Sequence, residues 1–176
     1  MFYFSLGILI LTVGASPRGW GRSSVFKYIF IGGIILIFSL LFFQSGQQYR
    51  AWSQNEVSKF LLPPYQSIAY FLGYSFTHFF KNYLISLVIA LLFLSAAVFL
   101  NKKFQERFFE KEEPYLGALA IFLVGHPLWI YYVIAICGIG FLGTLIFQLK
   151  WRERFPFYRF WLPLAILVLI IGKILI

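Results

Sequence analysis

FFEKEEPYLGALAIFLVG, residues 108–125, sets four charged residues side by side at 110–113 and is then followed by none until Lys150. Glu110, Glu112 and Glu113 are half of the six carboxylates in the chain. An uncharged run of that length, made mostly of aliphatic and aromatic residues, belongs in hydrocarbon. Pro114 marks its start, because the first helical turn is where a missing amide donor does no harm. The run from Pro114 to Leu149 is too long for one crossing. His126-Pro127 divides it into a short segment at 114–125 and a full one at 128–149.

The rest of the chain matches this setting. Hydrophobic residues make up 61% and charged residues 12%, where a soluble domain carries about 25% charged. Uncharged runs at 1–15, 28–45 and 82–100, and an apolar run from about 160 to 176 interrupted only by Lys173, complete about six spans of a 30 Å hydrocarbon layer. The expected fold is an all-α polytopic membrane helix bundle forming one domain over residues 1–176. Residues 60–80, FLLPPYQSIAYFLGYSFTHFF, are uncharged but rich in proline and tyrosine, and read as an outer interfacial or re-entrant helix. Val13-Gly14-Ala15 resembles a cleavage site, but the first run lacks the basic residues that precede a secretory signal.

Six spans place eleven of the 15 basic residues on one side and four, Arg50, Lys59, Lys81 and Lys173, on the other. The positive-inside rule then puts both termini outside, with Lys173 near enough to the end to snorkel into the interface. The net charge of +9 is mainly a topology signal. It favours anionic lipid headgroups over nucleic acid, which would need a soluble basic face with stacking aromatics.

Chemistry is sparse. The chain has no aspartate, so paired-carboxylate catalysis would fall to glutamates, with Glu113 and Glu112 the candidates. The plainer reading is that carboxylates beside Pro114 face the positive end of a helix dipole, worth about 0.3–1 kcal/mol each. His78 and His126 stand apart from other ligand residues, so no metal site and no cofactor is expected. Cys137 reads as a packed thiol, and Gly138, Gly140 and Gly143 as small residues for close helix packing.

PYLGALAIFLVGHPLW and WRERFPFYRFWLPLAILVLIIG, with the order of spans and basic loops around them, resemble the type IV prepilin and preflagellin peptidases. The resemblance is strongest over residues 108–172. That family consists of intramembrane aspartyl proteases with a GxGD motif. The resemblance implies a prokaryotic cytoplasmic membrane and sets Glu110-Lys111-Glu112-Glu113 at the GxGD position, with Glu113 where the second catalytic aspartate belongs. It sets Ser16-Pro17-Arg18 where the first aspartate opens its own motif, keeping the arginine and replacing the acid by Ser16. Both aspartates and the motif glycines are therefore missing, and an acid pair stripped of its members cannot activate water. Three functions stay open. One is a non-catalytic protein that binds or escorts a membrane partner such as a pilin-type transmembrane segment, with Ser16, Arg18, Tyr65, Tyr70 and Tyr74 as contacts. The second is a membrane enzyme with glutamate-based peptidase chemistry. The third is a lipid- or solute-binding module, or a scaffold subunit of a membrane assembly.

Overall fold

The computed structural model describes residues 2–14, 23–105, 109–150 and 160–175. The described chain folds into helices α1 (Phe2–Gly14), α2 (Ser23–Gln54), α3 (Ile68–Ser75), α4 (Lys81–Lys103), α5 (Glu113–Val124), α6 (Trp129–Lys150) and α7 (Trp161–Leu175). Three helical stretches are long and apolar enough to cross a membrane: Val25–Gln54, Ile68–Lys103 and Trp129–Phe147.

Helix α5 is the centre of the bundle. Its sequence has no polar face after Glu113, and a helix apolar all round must be enclosed. Eleven of its 12 residues are buried, Tyr115 being the exception. It is packed by α4, α7, α2, α6 and α1. Phe122 lies beneath Phe38 of α2 and Tyr83 of α4, with ring centroids 6.5 and 6.2 Å away. At roughly 1.5 Å per residue α5 is about 18 Å long, well short of the hydrocarbon thickness. It is a core element, while α2, α4 and α6 turn large apolar side chains outward, among them Ile35, Phe42, Leu92, Phe99, Ile134 and Phe141. An exposed apolar surface of that extent suits lipid rather than water.

Two helices run past the uncharged segments that reveal them. Helix α2 continues through Gly46–Gln54, nine residues beyond the apolar run at 28–45. Residues 60–80 do not form a separate interfacial helix: Ser58–Leu61 is a 3₁₀ turn, and from Ile68 the chain runs unbroken through one π turn, Phe76–Phe80, into α4. Pro63-Pro64 stops helix formation before this point, and nothing after Ser67 does. The two extensions run side by side, joined by a 3.0 Å Ser45–Ser75 hydroxyl bond and by Tyr49 and Trp52 packed edge-on against Phe71.

The small residues of the CGIGFLG stretch differ in placement, Gly140 being buried and Gly138 not. Gly138 is exposed with open space where a side chain would stand, and Cys137 is exposed rather than packed. Close approach is instead made at Gly117 on α5, where an added Cβ would lie 2.6 Å from Phe93 and 2.8 Å from Trp161. Gly117→Ala is therefore expected to force those two rings aside and destabilise the bundle by about 1–3 kcal/mol. Thermal unfolding in detergent would register it as a lowered Tm, and an unchanged Tm would mean the rings are free to move.

Candidate functional site at the Glu113 corner

The charged cluster divides by depth. Glu110 and Lys111 are exposed, Glu112 is half-buried, and Glu113 is 3% exposed at the first position of α5. Glu112 is the N-cap and stands at the edge of the bundle, whereas Glu113 is the first residue of the enclosed helix and enters the bundle with it. The Glu113 carboxyl that enters lies beside the Trp161 side chain.

Glu113 does not cap its own helix. No side-chain bond closes the N-terminus of α5 at Glu112; instead Glu113 Oε2 accepts the backbone N–H of Glu110 at 3.1 Å. The side chain thus reaches back across the turn that leads into the helix. That turn is fastened a second time by Asn101, near the end of α4 and 8% exposed. Its Nδ2 donates to the Phe109 carbonyl at 2.7 Å and its Oδ1 accepts the Phe109 N–H at 2.9 Å. Phe109 in turn stands 6.4 Å from both Phe93 and Trp161, themselves 5.5 Å apart edge-on. Trp161 is fixed from its other side, where the Tyr132 hydroxyl donates to its carbonyl at 3.0 Å.

Burial dominates the electrostatics. Removing the Glu113 carboxyl from water pushes its pKa from about 4.5 to about 7. The bond from the Glu110 N–H opposes the rise, the Glu110 charge adds to it, and a side-chain bond with Trp161 lowers it again. Glu112 is also raised, first by burial and then by Glu110. Glu110 is therefore the carboxylate whose charge bears on both candidates. Near neutral pH Glu113 is poised to hold or release one proton, which is what a general acid or base requires, in a setting that also satisfies it internally.

Of the other residues singled out by sequence, Ser16 and Arg18 lie outside the described residues. Tyr65 is exposed in the turn before α3, edge-on to Phe60 at 4.8 Å. Tyr70 and Tyr74 gather around Trp52, at 6.4 and 4.7 Å, and Tyr74 stacks on His78 at 3.9 Å. The tyrosines thus form an aromatic patch on the α2–α3 hairpin, at positions remote in sequence from Glu113. His126 Nδ1 accepts the Trp129 indole N–H at 3.4 Å. Among the described residues no group of three His, Cys, Asp or Glu side chains is placed to hold a metal ion. Asn101 was not a sequence candidate: an asparagine ending an apolar run before Lys102-Lys103 looks like any interfacial residue.

Two measurements test this geometry. A folded-state pKa above the unfolded value means that the native protein keeps a proton the unfolded chain has already lost, so stability falls as pH rises from about 4.5 to about 7 and stays lost above that. Wild-type Tm is expected to drop over this range by the equivalent of about 1–2 kcal/mol, allowing for partial hydration, and Glu113→Gln is expected to flatten the profile. An equally steep profile in the variant would assign the titration to another group. Asn101→Ala removes both bonds to Phe109 and is expected to cost about 2 kcal/mol, with faster amide exchange at Phe109 and Glu110 than in the wild type.

The chain matches no protein-family model, and neither the curated proteins nor the solved structures contain a detectable relative.

Proposed function

We propose that this chain is an integral membrane protein with a prepilin-peptidase-like layout that has given up aspartyl-protease chemistry and binds or escorts a membrane partner, such as a pilin-type transmembrane segment. In this reading it crosses a prokaryotic cytoplasmic membrane about six times, with both termini outside. The observation that supports it best is the closure of the Glu113 corner. The carboxyl at the position of the family's second aspartate is buried, bonded to its own turn and set beside Trp161, and the sequence offers no aspartate to pair with it. The aromatic patch of Tyr70, Tyr74 and Trp52, with Tyr65 on the neighbouring turn, supports contact with an apolar helix entering from the outer side.

A second reading, glutamate-based peptidase chemistry, is favoured by the poised proton on Glu113. One experiment separates the two. The protein is reconstituted with a precursor that carries a basic leader and an apolar helix, and both cleavage and co-purification are followed for wild type and Glu113→Gln. The binding reading expects no cleavage, co-purification in both, and at least several-fold weaker capture when Tyr70 and Tyr74 are changed to Ala. Cleavage that disappears in Glu113→Gln would replace it with the enzymatic reading. No cleavage and no capture would remove both and leave the scaffold reading.

A further inference from the structure

We propose that the end of the bundle opposite Glu113 carries a binding site for an anionic oxygen headgroup, a phosphate or carboxylate, attached to an alkyl chain. A cleft of about 370 Å³ opens where α1, α4, α5 and α7 meet the turn into α6, a size typical of small-ligand sites. Its polar lining comes from four separate elements: Ser5, Tyr83, His126 and Lys173. Leu128 and Leu169 supply an apolar wall beside them.

Each polar residue has a distinct part. Ser5 is 1% exposed, and its Oγ makes no close hydrogen bond among the described residues, with the Tyr83 side chain as a weak partner. Buried hydroxyls are nearly always paired, and one held this loosely at the margin of a cleft keeps bonding capacity for a ligand oxygen. Tyr83 lies beside Ser5 and brings a second hydroxyl to the same wall. The Trp129 indole can only donate, so His126 Nδ1 must accept, which leaves Nε2 of the neutral ring as the protonated nitrogen and a donor. Lys173, exposed on the last turn of α7, supplies the positive charge. Donors and one cation above an apolar wall select an anionic amphiphile over a neutral solute. Gly172 keeps the wall close, since a Cβ there would stand 2.5 Å from Leu128.

This site stands apart from the Glu113 corner and does not rest on the partner-binding reading. The full chain, purified and delipidated in detergent, would be titrated with phosphatidylglycerol, with phosphatidylcholine and with inorganic phosphate, and bound species counted by native mass spectrometry. The expected result is one phosphatidylglycerol per chain, bound at least several-fold more strongly than phosphatidylcholine. Lys173→Gln is expected to weaken it about tenfold and Ser5→Ala several-fold, with Lys173→Arg restoring it. Saturable inorganic phosphate binding that Lys173→Gln abolishes would support the headgroup chemistry and assign the source to a free anion. Equal retention of both lipids, or phosphatidylglycerol binding indifferent to Lys173→Gln and Ser5→Ala, would overturn the site. Tm measured in parallel confirms that each variant is folded.

Discussion

The enclosure of α5 is the constraint from which the rest of the structure follows. A 12-residue helix with no polar face cannot lie against water and is too short to face lipid across a bilayer, so neighbours must surround it. Between helices in hydrocarbon there is little hydrophobic drive, and close packing has to do the work. Alanines at 118 and 120 and the glycine at 117 let α4, α7 and α2 approach closely. The large rings of Phe93, Phe122 and Trp161 then fill the remaining space. The outer helices turn bulky aliphatic and aromatic residues outward, which reverses the arrangement of a soluble bundle.

That enclosure also explains the chemistry of the charged cluster. A helix that begins inside the bundle brings its first residue inside with it, and here that residue is a glutamate. Burial of a carboxyl is tolerable if it is protonated or bonded, and this one is placed for both. The Asn101 clamp on Phe109 holds the preceding turn so that the Glu110 N–H is presented to it. A buried acid placed in this way both pins the turn that leads into α5 and keeps a proton toward neutral pH.

Much of this was legible in the sequence, and the reasons for the rest are physical. The starts and ends of α5 and α6 lie within a residue or two of the uncharged runs, because Pro114 and His126-Pro127 fix them locally. The extension of α2 does not show in hydropathy, whereas residues 68–80 ahead of α4 are apolar and it is the prolines and tyrosines of the segment that make it read as interfacial. Gln47, Gln48, Tyr49 and Arg50 are polar but helix-compatible, so the helix continues after the hydrocarbon signal has ended. The depth of Glu113 relative to Glu112 depends on helix rotation, which the neighbours of α5 set. Asn101 and the Ser5–Lys173 cleft depend on pairings between distant segments that a single sequence does not report.

The shortness of α5 finally accounts for the cleft at its far end. Gly125, at φ 80°, accepts a turn that other residues resist, and the chain leaves the helix after three turns to begin α6 at Trp129. Helix α4 runs past this level through its π turn toward Ile68, and α1 and α7 pack beside α5 as it ends. The volume α5 vacates between them has Leu123 and Val124 as its floor and the polar ends of its neighbours as its rim. A longer central helix would fill that space with its own side chains. The same early termination that leaves α5 short of a full crossing thus leaves a polar-rimmed opening over an apolar floor, the arrangement an amphiphile requires.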